Sequence, residues 1–211
     1  MGGRTAAGGG RWVDVAPERL SRWIENFVSR HGAYREEGLT LTAADGASAE
    51  MLAPPGAGPA GTLAELIREA GEPRRLGLLL ARKGAVAVGI ANGPELVTSK
   101  VDTHYVQGRT AAGGWSQQRF ARRRDNQAKA AAADGAGIVG RLLLPEVRGL
   151  AALVTGGDRS AVDAILAVPQ LAPVAVLRSG RLLDVPEPRH AVLVSAVASA
   201  RAVSILIREP S

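Results

Sequence analysis

Leu76-Gly77-Leu78-Leu79-Leu80-Ala81-Arg82, Lys83-Gly84, Ala85-Val86-Ala87-Val88-Gly89-Ile90-Ala91, Asn92-Gly93-Pro94 and Glu95-Leu96-Val97-Thr98-Ser99-Lys100-Val101 follow one another without a break. Three runs of strand length are separated by two turn signals. Glycine accepts the positive φ of tight turns and proline presets the next φ, so both signals are short enough to reverse the chain. Short turns predict an antiparallel meander over 76–101. His104 to Gln107 either extends the third strand or forms a short one of its own.

Downstream, the pattern predicts a long helix from about Ser116 to Ala133, then a buried strand over Leu150 to Thr155. A helix over Ser160 to Leu166, a strand over Val174 to Leu177, a helix over Arg189 to Ala200 and a final strand over Ala202 to Arg208 complete it. Helix-strand alternation after a meander predicts an α/β fold, a mixed sheet with helices on its faces. The order is that of a ribonuclease H-like fold.

Upstream, Met1 to Gly10 reads as a flexible leader. Trp12 to His31 reads as a helix, with Pro17 in its first turn and Leu20, Trp23, Ile24, Phe27 and Val28 at helical spacing; Gly32 stops it. Leu39 to Thr42 and Ala49 to Leu52 predict a hairpin around Asp45-Gly46. Ala53 to Gly61, with three prolines, reads as a linker. Thr62, with Glu65 three residues on, predicts a capping box opening a helix through Ala70. The expected organisation is an N-terminal helix-and-hairpin segment with its linker over 1–61 and a second domain over 62–211.

The 211 residues suffice for one large or two small domains. The composition is 46% hydrophobic but only 3% aromatic, so the core must be built from Leu, Val, Ile and Ala. Lys plus Arg is 26 against 20 for Asp plus Glu, a net charge of +6, and only Lys83, Lys100 and Lys129 are lysines. Arginine forks match phosphates and stack on bases, which makes RNA a natural partner. The absence of cysteine excludes disulfides, thiol catalysis and thiolate zinc sites. No apolar run has signal-peptide form or reaches the ~20 residues of a membrane span, so the expected location is the cytoplasm, away from membranes.

Between meander and long helix lies Gly108-Arg109-Thr110-Ala111-Ala112-Gly113-Gly114-Trp115-Ser116-Gln117-Gln118-Arg119-Phe120-Ala121-Arg122-Arg123-Arg124. Two adjacent glycines let a backbone bend and approach a ligand closely. Glutamine amides offer donors and an acceptor without charge. A large aromatic such as Trp115 is costly to leave wet unless it stacks, for example on a base. On the helix, Arg119, Arg122, Arg123 and Asn126 share one face, and Phe120, Ala121, Ala128, Ala131 and Ala132 the other. Such a loop suits entry into a crowded anionic site, with the arginine face on phosphates and the alanine face on the sheet.

Other chemistries fail. Gly114-Trp115-Ser116-Gln117-Gln118 lacks the closing glycine of a nucleophile elbow, and His31, His104 and His190 have no local signature. A two-cation nuclease needs clustered carboxylates. Leu76 to Lys83 contains none, Asp125 stands alone on its helix, and Asp158 follows the fourth strand. Thr155-Gly156-Gly157-Asp158-Arg159-Ser160 reads as a glycine turn with an Asp or Ser cap, not as a phosphate loop.

The Gly113-Gly114-Trp115-Ser116-Gln117 segment with its basic helix resembles the catalytic loop of the Vms-like release factors, in particular the actinobacterial branch. That loop is a relative of the Gly-Gly-Gln loop of eukaryotic and archaeal peptide-chain release factors. The resemblance extends over roughly Leu76 to Glu209 and, more weakly, over the N-terminal part. It implies a ribonuclease H-like fold and a ribosome-associated peptidyl-tRNA hydrolase that releases nascent chains from stalled ribosomes or large subunits. Gly113 and Gly114 would admit the loop to the peptidyl-transferase cavity. Gln117 would order water or stabilise the oxyanion, with Trp115, Ser116, Gln118, Arg119, Arg122 and Arg123 contacting tRNA or rRNA. Trp115 and Ser116 stand between the glycines and the glutamines, which leaves Gln117 and Gln118 as alternative matches to the family glutamine. The implied partners are the large subunit, peptidyl-tRNA and rRNA, acting on a monomer without metal or organic cofactor. The rivals are a nuclease cutting the tRNA acceptor end and a non-catalytic ribosome-binding factor.

Overall fold

The structure is a computed structural model that describes residues 4–6, 8–82, 84–103 and 117–210, with side chains for all but 117–128. In chain order the elements are β1 (Arg4–Thr5), β2 (Arg11–Val15), a 3-10 turn (Pro17–Arg19), α1 (Leu20–His31), β3 (Tyr34–Glu37), β4 (Thr40–Ala43), β5 (Ser48–Leu52) and α2 (Leu63–Gly71). Then come β6 (Arg75–Arg82), β7 (Ala85–Asn92), β8 (Glu95–Thr103), α3 (Gln117–Leu142), a 3-10 turn (Val147–Gly149), β9 (Ala152–Gly157) and α4 (Arg159–Leu166). A 3-10 turn (Pro169–Leu171), α5 (Ala172–Ala175), β10 (Arg178–Leu183), α6 (His190–Arg201) and β11 (Val203–Arg208) complete the chain.

The residues fall into two compact units. One comprises Met1–Arg74 with Ala198–Ser211, the other Arg75–Val197. The division therefore runs at 74/75 and 197/198, whereas the sequence reading placed it at 61/62.

The first unit is a six-stranded sheet in the order β1-β2-β11-β5-β4-β3, its pairs antiparallel. Alternation sends Val13, Val15, Leu41, Ala49, Met51, Val203, Ile205 and Ile207 to one face. There they pack against Leu20 and Phe27 of α1 and Leu63, Leu66 and Ala70 of α2. Burying each large aliphatic contributes about 1.5–3 kcal/mol. The Thr62 hydroxyl accepts from the Glu65 N–H (3.2 Å), and the Glu65 carboxylate accepts from the Thr62 and Gly61 N–H groups. Glu36 takes the Leu63 N–H at 2.9 Å. The start of α2 is thus satisfied from its own turn and from β3, as the capping-box spacing predicts.

The second unit is a five-stranded mixed sheet in the order β10-β9-β6-β7-β8. The meander is present: β6 pairs β7 and β7 pairs β8, both antiparallel. β9 runs parallel to β6, and β10 parallel to β9. One face carries Leu79, Ala81, Val86, Val88, Ile90 and Leu153 against α3, α4 and α5. On the other face the missing side chain of Gly89 leaves room for Leu193 of α6. A Cβ built there would lie 2.9 Å from the Leu193 Cδ2 and 2.8 Å from the Leu96 Cδ1.

Several local expectations are corrected. Arg4–Thr5 is not leader but a strand paired with β2. Residues 12–15 are strand β2, and the helix begins only after Pro17. Val174 to Leu177 is not a strand; α5 ends there and the strand is the polar run Arg178–Leu183. Pro169 and Pro173 favour helical starts at that point. β11 joins the sheet of the first unit and not the mixed sheet. His104 to Gln107 lies outside the described residues.

Candidate functional site: the start of helix α3

β6, β8, β9 and β10 all point the same way, so Arg82, Thr103, Gly157 and Leu183 end at one edge of the sheet. β8 ends at this edge at Thr103, and α3 begins at Gln117. Gly113, Gly114, Trp115 and Ser116 lie outside the described residues. Gln117 and Gln118 are the first two residues of α3, and Arg119, Arg122 and Arg123 occupy its first two turns. Their backbone positions are described and their side chains are not.

α3 has 26 residues, longer than the expected 116–133. Its second half is the anchor. Ala136, Ile138 and Val139 are buried in the core. At Gly135 a Cβ would fall 2.8 Å from the Ile165 Cδ1, so only glycine lets α3 approach α4 this closely. The turns before it are open: Lys129, Ala130, Ala133 and Asp134 are exposed, while Ala132 packs on the core. At about 100° per residue, positions 119, 122, 123 and 126 fall in phase with that exposed set and with exposed Arg141. Position 117 falls in phase with Gly135, on the side that faces the core further along. About 27 Å of helix separates Gln117 from Gly135, at 1.5 Å per residue.

The rest of this edge is structural. Gly157 has φ +90°, and a Cβ there would collide with the Ala81 carbonyl oxygen. The Asp158 N–H donates to the same oxygen at 2.7 Å. Asp158 occupies the N-cap position of α4 without a side-chain cap bond. Arg82 pairs with Asp184 at 3.6 Å. The expected glycine turn is present at Gly157, while sequence reasoning does not single out Gly135 or the Arg82–Asp184 pair.

His31 belongs to the first unit. Its Nδ1 lies 2.8 Å from Asp45 Oδ2 and its ring packs on Phe27. The Ala47 N–H and His31 both hold the Asp45 carboxyl below the usual carboxylate range. His190 opens α6. Among the described residues no group of three or more His, Asp or Glu is placed to hold a metal ion. No helix of the described residues is long and apolar enough to cross a membrane.

Residues 74–206 match the family model described as Actinobacteria/chloroflexi VLRF1 release factor. No curated protein sequence matches the chain. Among solved structures, an archaeal translation termination factor, aRF1, aligns with a TM-score of 0.44 and 17% identity, over 60% of this chain and 34% of that one. A second, described only as an archaeal protein, aligns with a TM-score of 0.41 and 10% identity, over 87% of this chain and 70% of that one. This chain thus spans about a third of the length of the archaeal termination factor.

Proposed function

The chain belongs to the Actinobacteria/chloroflexi VLRF1 release-factor family, and on that premise we propose that it hydrolyses the ester linking a nascent peptide to tRNA on the large ribosomal subunit. Membership gives the coarse assignment, a release-factor role in translation with the ribosome as partner. The observation that carries the finer reading is that the matched span contains Gly113-Gly114-Trp115-Ser116-Gln117 immediately before a 26-residue helix whose second half is anchored in the core. That placement sets the glutamines about 27 Å along the helix from the first buried glycine, as a probe entering a deep cavity requires. We assign the catalytic module to 75–197. Its strand order, with only β7 opposed in direction, supports a ribonuclease H-like reading.

The ester is intrinsically reactive, so the protein need only admit and orient water and exclude other nucleophiles. Gly113 and Gly114 let the backbone pass close to RNA. The amide of Gln117, or of Gln118 in the alternative alignment, positions water or meets the developing oxyanion. Arg119, Arg122 and Arg123 take tRNA or rRNA phosphates, and Trp115 stacks on a base. The reaction calls on no metal or organic cofactor, and its setting is the cytoplasm.

The test is a release assay with peptidyl-tRNA on isolated large subunits, with mass analysis of the freed peptide. A free C-terminal carboxylate supports ester hydrolysis. A peptide still carrying nucleotides identifies cleavage of the tRNA acceptor end. Tight binding without release identifies a non-catalytic factor.

A further inference from the structure

Arg19, Arg22, Asn26 and Arg30 follow one another at intervals of three, four and four residues along α1 and the turn that enters it. At about 100° per residue they fall within roughly a quarter of the helix circumference, and all four are exposed. The buried side of the same helix carries Leu20 and Phe27. Trp23 lies in phase between the two, half-buried, its ring stacked on Phe27 at 5.7 Å.

Among the described residues the stripe is held by no ion pair, and its one compensation is at Arg19, whose charge is the last of the causes that lower the pKa of the neighbouring Glu18. No carboxylate among the described residues lies within ion-pair distance of Arg19, Arg22 or Arg30. Glu18, one turn before Arg22, is engaged by Arg201 at 2.6 Å. Asp45, near the end of the helix, is engaged by His31. Glu25 is the remaining acid on the helix and does not reach Arg22. The first turn of α1 holds no acidic residue, and Arg22 sits in it. A cation there opposes the positive end of the helix dipole, where a helix selected for stability alone carries acids. Arg22 placed against the dipole, Arg19 and Arg30 on the same face, and a half-exposed tryptophan alongside are the footprint of a nucleic-acid backbone contact.

We propose that Arg19, Arg22 and Arg30, with Trp23 beside them, form a second RNA-contact surface in the first unit, whose arginines take phosphates of ribosomal RNA. This goes beyond the release reading, which uses residues of the second unit alone, and rests on it only in taking the ribosome as partner. The stripe extends about 16 Å along the helix axis, long enough to meet more than one phosphate.

The experiment measures the affinity of the full chain for isolated large ribosomal subunits across a potassium chloride series. Replacing Arg19, Arg22 and Arg30 together by Gln should flatten the slope of log affinity against log salt by roughly one for each phosphate that is no longer neutralised. The melting temperature should hold or rise, since the side chains are exposed. The corresponding triple Lys variant, which keeps the charge, should retain the slope. An unchanged slope in the Gln variant, an equally flattened slope in the Lys variant, or a wild-type chain that does not bind subunits overturns the assignment. The release reading is scored separately, by peptide release from wild type and Gln117→Ala at saturating protein, so the two can fail independently.

Discussion

α1 and α3 both carry arginines on one side, yet they are held in different ways. α1 is pinned along its length, from Leu20 through Phe27 to the ring contact of His31. α3 is pinned through its second half, from Ala132 on, where Gly135, Ala136 and Val139 meet α4 and the sheet. A helix fastened throughout presents a fixed surface. A helix whose first residues lie about 27 Å from its buried glycine reaches far along its own axis. The first arrangement suits a docking surface and the second suits delivery of a reactive loop.

The sharpest way to test the contrast is at the tip. Gln117→Ala should lower release about 10²–10³-fold, the effect of removing one oxyanion or water interaction, while subunit binding and melting temperature hold. Loss in Gln118→Ala instead would move the active amide by one residue, and full activity in both would end the mechanism. Gly113→Ala and Gly114→Ala should also impair release while leaving the melting temperature nearly unmoved. A large drop in melting temperature would show that those glycines are part of the packed structure.

Next come the glycines of the anchored half. Gly135→Ala should destabilise by about 1–3 kcal/mol, an overpacking cost, because Ile165 occupies the space. Gly137→Ala meets only the flexible Arg141 Nη1 at 3.3 Å, and should be neutral or stabilise by up to about 1 kcal/mol through helix propensity. Urea titration of both variants decides this; equal effects would mean that α3 does not depend on close approach to α4.

Thr62→Ala should cost about 1 kcal/mol by breaking the capping box of α2, again read by urea titration. The smallest effect is acid sensitivity at the end of α1. Asp45 has its pKa lowered by folding, through the Ala47 N–H and then His31. Its contribution is therefore present above the unfolded value of 3.8 and is lost as pH falls through the lower folded value. Asp45→Asn should flatten the acid limb of a stability–pH curve; an unchanged limb would show that other carboxylates carry it.

The parts of the fold that sequence revealed are those whose signal is local. β6, β7 and β8 are apolar runs with turn residues between them, and Thr62 and Glu65 sit at capping distance. The misread parts depend on distant partners. Trp12 to Val15 continues an apolar spacing into α1 and becomes a strand only because Val203–Ile207 lies beside it. β10 is an edge strand with little apolar content, so its strand character comes from pairing with β9. The far half of α3 is obscured by Gly135, Gly137 and Gly140, whose helical role at Gly135 is set by a side chain on another helix. For the site, the double glycine, the glutamines and the arginines were legible as residue types. The stripe on α1 follows the same helical spacing but was hidden by the stronger apolar pattern.

β11 lies between β2 and β5 in the sheet of the first unit, although most of that unit precedes residue 75. During synthesis the second unit has all its strands once residue 183 has been made, while β2 and β5 still lack the strand that joins them. Until Val203–Arg208 is available, those two strands present unpaired backbone edges, a site for mispairing. The first unit, begun first, is therefore completed only after the second has all its strands, and its maturation waits on Val203–Arg208.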